Sequence, residues 1–385
     1  MVMKIQRLKR CRGIFLKLTA CSLGICAIVL TFVQPSPLFS IKHNWNADED
    51  PKITNTSTPL TDTTTTPQTS LLPQGVLQKW SERDFLVVFG IPSVDITARR
   101  RRRYLQRSTC WRFPGVATKF NNFTGAMLVL YVFGRHPSHN FTYSAALKAE
   151  AAEWHDVIAI PMNEGRTTAN KLIGSHSSWG NEAEVGMSRK TFLWFELALR
   201  LFPNASYIAK GDDDMFLRVP QYLADLRRLP RRKLYWGAFF SAKSRGASVS
   251  VWFRFALGPC YTLSRDVVES LISYKPLQRL AHLPYSSVRV PEYVLHGMGN
   301  EDVMVGFILA ITRDRKLILA MESRCSFHDV HEGLRTSSVG SRSVMVHRLW
   351  ESEYEELMLR FGSDMGASPR RWKRISRHRI GVPCT

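Results

Sequence analysis

The sequence predicts an α/β domain layered around a mostly parallel sheet. Short apolar runs read as buried strands, helical patterns alternate with them, and no internal repeat competes with that rhythm. The run FLVVF at 85–89, closed by Gly90 and Pro92, is the first strand. A basic helix follows over 97–107. A second buried strand at 126–133 stops at Gly134, an Ala-rich helix covers 143–154, and a third strand at 156–160 stops at Pro161. Ser188 is an N-cap candidate for a helix whose apolar face is Phe192, Phe195, Leu199 and Phe202, ended by Pro203. A fourth strand occupies 207–210. In such folds ligands bind beyond the carboxyl ends of strands, so the residues just after 210 matter most.

Composition is that of an ordinary globular chain of 385 residues, except in charge. Lys plus Arg number 53 against 32 acids, a net +21, which suits nucleic acid, anionic lipid or a phosphorylated ligand. Location decides among them. Residues 14–33 carry one charge, Lys17, and are long enough to cross a bilayer as a helix. Lys4, Arg7, Lys9, Arg10 and Arg12 precede this span, and Asp48, Glu49 and Asp50 come after it, which keeps the N-terminus cytosolic. A cleaved signal peptide has a shorter apolar region and a small-residue cleavage site, and neither is found here. The expected organisation is a cytosolic tail at 1–13, a signal anchor at 14–33, a Thr/Pro-rich stem at 34–80 and a lumenal domain at 81–385. Sequons at Asn55, Asn122, Asn140 and Asn204 fit that orientation. Cys110, Cys260, Cys325 and Cys384 form an even lumenal set that allows two disulfides.

No P-loop and no GxGxxG is present, which removes P-loop NTPases and dinucleotide folds. The basic clusters at 99–103 and 370–379 read either as solvated faces or as phosphate or glycan contacts. Nucleic acid is not an expected lumenal partner. Chemistry concentrates instead in Lys210-Gly211-Asp212-Asp213-Asp214. In an extended segment Asp212 and Asp214 share a face and Asp213 points away. Carboxylates this close repel unless a cation neutralises them, and oxygen donors suit Mg²⁺ or Mn²⁺; the plainer reading is an acidic turn. Asn300-Glu301-Asp302 opens a helix through 311, where the acids serve either the helix dipole or general-base catalysis. His347 follows a strand-like stretch at 343–346, ahead of a helix at 352–361, and is either structural or the nitrogen ligand of a metal.

These residues resemble the inverting β1,3-galactosyl- and N-acetylglucosaminyltransferase superfamily, specifically its trypanosomatid surface-glycan branch. The resemblance runs over about 85–361. It is carried by Lys190-Thr191, by YIAKGDDDMF at 207–216, by EDVMVG at 301–306 and by VMVHRLW at 344–350. It implies the nucleotide-diphospho-sugar transferase (GT-A) fold, a lumenal catalytic domain on a Golgi type II anchor, a UDP-galactose or UDP-N-acetylglucosamine donor, and a glycan acceptor. By position, Asp214 and His347 would ligate Mn²⁺ or Mg²⁺, with Asp212 beside them. Asp302 would be the catalytic base, with Glu301 the alternate. Lys210, Asp213 and Lys190 would lie on the UDP-sugar side. The family's Arg, Arg, Thr, Trp block matches Arg103, Arg107, Thr109 and Trp111, with the Trp one residue late. The stretch 258–264 resembles a glycine-rich family segment but has Pro259 and Cys260, and Met304 replaces a commoner aromatic. A non-catalytic lumenal glycan-binding scaffold keeping the fold is the competing reading. A glycoside hydrolase, which would also use paired carboxylates, needs neither UDP-sugar nor metal.

Overall fold

The computed structural model describes residues 71–168, 179–244, 251–312, 316–364 and 366–384. The expected tail, membrane span and most of the stem lie outside the described residues. No helix among the described residues is long and apolar enough to cross a membrane.

Chain order begins with α1 (Gln74–Ser81), β1 (Val87–Pro92), α2 (Thr97–Ser108), β2 (Val116–Ala117), β3 (Met127–Arg135), α3 (Ala145–Trp154) and β4 (Val157–Asn163). It continues through α4 (Asn181–Leu201), β5 (Tyr207–Gly211), β6 (Met215–Leu217), α5 (Val219–Leu226), β7 (Leu234–Lys243) and β8 (Trp252–Ser264). Helices α6 (Arg265–Ile272), α7 (Lys275–His282), α8 (Val290–Leu295) and α9 (Glu301–Ile311) come next. The last elements are β9 (Ile318–Met321), β10 (Phe327–Asp329), β11 (Met345–His347), α10 (Glu353–Phe361), β12 (Lys373–Ser376) and β13 (Arg379–Gly381).

The main sheet runs β12-β13-β9-β7-β8-β5-β1-β3-β2, with β4 also on β3. Strands β2, β3, β4, β1 and β5 are mutually parallel, as are β7, β9 and β13. The expected mostly parallel sheet is therefore present, but the long strand β8 enters it antiparallel between β5 and β7. A second, small sheet of β10, β11 and β6 stands beside it.

Period-two alternation splits the core into two layers. Val87, Phe89, Ile91, Met127, Val129, Tyr131, Tyr207 and Ala209 face one layer, whereas Val88, Leu128, Leu130, Val132 and Ile208 face the other. Both faces are covered, which is why these strands read as continuous apolar runs. Helix α4 begins two turns before Ser188 and is buried on more than the single face expected, because α6, α7 and α9 pack on its far side. Ser188 is consequently not a cap; its Oγ donates to the Met298 carbonyl at 2.8 Å. Trp194 of α4 lies against β1 so closely that a Cβ on Gly90 would come within 2.1 Å of its ring. Strand β4 runs past Pro161, whose side chain is exposed beside a register shift against β3, where a missing N–H costs nothing.

Two organisational expectations change. The boundary at residue 80 falls inside the folded body, because α1 buries Val76 and Trp80 in the core, with Trp80 edge-on to Phe123. Of the four cysteines expected to be lumenal, Cys325 and Cys384 form a disulfide, while Cys110 and Cys260 are buried thiols. Burial pushes Cys110 up to about 12, so it is an inert apolar filler.

Trp80 anchors that first helix, so Trp80→Ala should cost about 3–5 kcal/mol in urea unfolding. A chain starting at Ser81 should melt well below one starting at Leu71. Equal midpoints for the two truncations would show that α1 adds nothing to the domain.

Candidate metal and carboxylate site

At the carboxyl end of β5 the chain turns sharply through Asp212, Asp213 and Asp214 before entering β6. The expected extended segment is therefore a turn. Gln106 of α2 fixes it by donating to the carbonyls of Asp212 (3.1 Å) and Met215 (2.9 Å), and the Asp212 N–H donates to the Pro259 carbonyl of β8 (3.1 Å). The turn brings Asp212 and Asp214 together, and β11, paired antiparallel with β6, brings in His347. One ligand atom from each of these three residues lies within 4.8 Å of the others. Asp213 instead points inward, where it accepts from Ser93 Oγ (2.6 Å) and pairs closely with Arg99.

His347 is aimed from behind. Its Nδ1 pairs with Asp329 Oδ1 at 2.7 Å, and its Nε2 faces Asp214 Oδ1 at 3.2 Å. Burial opposes charge on this imidazole, but Asp214 and Asp329 outweigh it and raise His347 to about 9. Burial likewise works against the Asp214 carboxylate, yet His347 holds it well below its usual range, with Arg99 and Arg102 assisting. Two carboxylates and an imidazole oriented by a carboxylate fit a hard divalent ion, and the Nδ1 partner is the kind that fixes a metal-binding tautomer.

Across from this cluster lies a second group of acids. Lys210 Nζ, almost fully buried, donates to Asp212 Oδ1 (2.6 Å), the Gly258 carbonyl (2.8 Å) and Glu301 Oε1 (2.5 Å). Burial disfavours the ammonium, but Asp212 and Glu301 raise its pKa, so it stays charged. Glu301 Oε2 also accepts from Tyr261 OH at 3.1 Å, so both its oxygens are committed. Among the described residues Asp302 accepts only from backbone, the Gly258 N–H at 3.1 Å and the Val303 N–H at 2.7 Å. Burial and the neighbouring Glu301 raise Asp302 to about 7. A Cβ on Gly258 would stand 2.8 Å from Glu301 Oε1, so a side chain there would press on the carboxylate that Lys210 and Tyr261 hold.

The remaining candidates sit elsewhere. Lys190 lies inside α4 rather than at its opening, donating to Glu164 Oε1 (2.6 Å) and the Ser93 carbonyl (2.8 Å). Arg103 grips Glu150 with two 2.7 Å bonds and donates to Ser93 Oγ; Arg107 pairs with Glu150 and Asp156. Neither guanidinium is bonded to Asp212, Asp214 or His347. On α2, the face of Arg99, Arg102 and Gln106 turns toward the acidic turn, and Arg103 and Arg107 turn inward, a division that follows from helical spacing. Gln106, Ser93 and Asp329 were not singled out by sequence, and Arg99, Arg102 and Tyr261 entered only as members of the basic run at 99–103 and the stretch 258–264. The i, i+3, i+7 spacing on α2 and the Asp329 that ends a strand were the available signals.

Comparison with known proteins adds a partial relative. Over 118 residues the chain is 40% identical to β-1,3-galactosyltransferase 6 of Mus musculus, covering 27% of this chain and 31% of that protein. The chain thus matches about a third of the length of that relative. A solved structure, described as a glycosyltransferase involved in the glycosylation of the major capsid of PBCV-1, aligns over 71% of this chain and 98% of its own. Its TM-score is 0.31, with 10% identity. No family model matches.

Two outcomes test this geometry. Lys210→Met should destabilise the fold by about 3–5 kcal/mol, because Glu301 is left buried without its counter-charge; a denaturant midpoint within error of the parent would refute that role. The pH dependence follows from Asp302, whose carboxyl moves from 3.8 to about 7 on folding. Between those values the folded chain holds a proton that the unfolded chain has released, so stability falls as pH rises through that window. Asp302→Asn cannot ionise and should flatten this slope in metal-free protein, measured by melting temperature from pH 4 to 8. An unchanged slope would place the raised carboxyl elsewhere.

Proposed function

We propose that the chain is an inverting hexosyltransferase of the GT-A type. It moves galactose or N-acetylglucosamine from a UDP-sugar to a glycan hydroxyl in β1,3-type linkage, on the lumenal side of the Golgi membrane, to which residues 14–33 anchor it. One observation carries this reading: a candidate metal-ligand cluster, Asp212, Asp214 and His347, stands at a strand end and is linked through Lys210 to the first turn of α9, which carries Asp302, a carboxyl of near-neutral pKa. The partial β1,3-galactosyltransferase match supports the same class. Placement in a trypanosomatid branch rests on motif resemblance alone, since that relative is murine.

Mn²⁺ or Mg²⁺ held by Asp214, His347 and Asp212 would supply Lewis acidity to the diphosphate of the leaving UDP. The protein groups divide the other tasks. Asp302 accepts the proton of the acceptor hydroxyl, and its near-neutral pKa suits a base working at neutral pH. Its carboxylate is aimed by two backbone N–H groups and forms no ion pair among the described residues. Glu301, pinned by Lys210 and Tyr261, is a positioning residue that fixes the start of α9. Inversion by single displacement requires a base and no enzyme nucleophile. Arg99 and Arg102, close enough to depress Asp214, add positive potential on the side where diphosphate charge develops.

UDP release from UDP-galactose or UDP-N-acetylglucosamine, stimulated by a β-galactoside or N-acetylglucosaminide, is the direct assay. Chelation should abolish turnover, and full activity after rigorous metal removal would sink the metal role. Asp302→Asn should lower turnover about 10²- to 10⁴-fold while UDP still binds. Glu301→Gln should mainly lower stability. If Glu301→Gln abolishes transfer and Asp302→Asn stays near parent, the base is misassigned by one residue. UDP binding without transfer to any acceptor would favour the scaffold reading.

A further inference from the structure

The tripeptide Asn-Phe-Thr occurs twice, at 122–124 and 140–142, and the structure builds both copies into the same turn. Each comes after one turn of 3₁₀ helix, Lys119–Asn121 or Pro137–His139. In each, the Asn and Phe are both left-handed: φ is 53° and 55° at Asn122 and Phe123, and 51° and 57° at Asn140 and Phe141. The backbone bonds correspond one for one. Asn122 and Asn140 donate to the carbonyls of Lys119 and Pro137, Phe123 and Phe141 to those of Thr118 and His136, and Thr124 and Thr142 to those of Asn121 and His139.

Folding explains part of this recurrence. Asparagine tolerates the left-handed region better than most residues, and the aromatic ring anchors the turn, Phe123 in the core and Phe141 beneath the Arg166 guanidinium. It does not explain the threonine at 124, which is exposed and whose hydroxyl makes no hydrogen bond among the described residues. Both asparagines are exposed. Asn122 Oδ1 accepts from Lys79 (3.0 Å) while its Nδ2 makes no hydrogen bond, and the Asn140 side chain makes none, among the described residues. Asn204, the other described sequon, differs: its Nδ2 donates to Asp84 Oδ1 (3.1 Å), and Ser206 Oγ accepts from Arg231 (2.6 Å).

We propose that Asn122 and Asn140 carry N-linked glycans, each presented on a rigid turn at one end of β3. The inference rests on the lumenal orientation proposed above. In the modification, Nδ2 bonds to the anomeric carbon of an oligosaccharide as that carbon's bond to a lipid-linked diphosphate breaks. The diphosphate leaves with the electron pair, and the amide nitrogen gives up one proton. Both turns accept this substituent with no side-chain hydrogen bond from Nδ2 to lose. The Asn140 glycan stands at the carboxyl end of β3, parallel to the β5 end that holds the acidic turn. It therefore borders the catalytic end of the sheet, and the Asn122 glycan borders the opposite end.

The test uses the full chain expressed in secretory-competent eukaryotic cells. Sealed vesicles are treated with external protease, and the protein is then digested with peptide N-glycosidase in ¹⁸O water and mapped by mass spectrometry. The expected result is a protected domain in which Asn122 and Asn140 are converted to labelled aspartate. Thr124→Ala and Thr142→Ala should each abolish conversion at their own site while leaving the asparagine in place, and Thr124→Ser and Thr142→Ser should retain it. A protected domain with either asparagine unconverted overturns the proposal and leaves the orientation standing. Digestion of the domain by external protease overturns both. Conversion that survives Thr124→Ala and Thr142→Ala also overturns it, because the threonines would then serve only the turn.

Discussion

A buried ammonium holds the site together. Lys210 ends β5 with its three donors spent on Asp212 in the acidic turn, a β8 carbonyl and Glu301 at the start of α9. These groups come from segments far apart in sequence, and no apolar contact could fix their directions as three charge-assisted or carbonyl bonds do. Removing the charge would leave Glu301 buried and opposed by its neighbour Asp302. The arrangement requires β8 to be antiparallel at this point. Only that pairing sets Tyr261 opposite Lys210 and Cys260 opposite Gly211, and carries the Gly258 backbone between the two carboxylates.

A second network supports the acidic turn from below. Asp213 is the member of the triplet that serves structure, drawing in Arg99 and Ser93, and Ser93 in turn accepts from Arg103, whose other donors hold Glu150. Glu150 also pairs with Arg107, which reaches Asp156. The arginines of α2 thus act in two directions along one helix. One face lowers the potential energy of the acid cluster, and the other ties α2 to α3 and the start of β4. A helix with so many like charges would be unstable alone, and it forms because its counter-charges are supplied by tertiary neighbours rather than within the helix.

Much of this was legible in the sequence, for identifiable reasons. Strands buried on both faces announce themselves as unbroken apolar runs, so β1, β3, β4 and β5 were placed within a few residues. Asp212 and Asp214 were grouped as candidate ligands by the shared face of the acidic triplet and His347 by resemblance, and the three do lie together. What was not legible depends on who sits opposite. The real start of α4 lacks an apolar signal because its first turns are half-exposed, and Ser188 mimics a cap while serving a contact to Met298. Strand β8 escaped notice because its middle, through Gly258 and Pro259, carries breaker residues that a central strand seldom tolerates. Arg103 and Arg107 differ from Arg99 and Arg102 only in helix face, which a run of five arginines conceals.

The electrostatics of the site also explain why an excess of positive charge on the chain coexists with a centre made of acids. Asp212, Asp213, Asp214, Asp329, Glu301 and Asp302 meet within a small volume, and Arg99, Arg102 and Lys210 offset only some of them. His347 adds a further positive charge in the metal-free chain, since Asp214 and Asp329 raise its pKa to about 9. An ion taking Asp214 and His347 as ligands must displace that proton, because the imidazole lone pair that would bind it is the one the proton occupies. The proton and a bound ion would therefore compete for the same imidazole nitrogen. The pairing of β6 with β11 and the two bonds from Gln106 are what hold the acidic turn in place without a ligand.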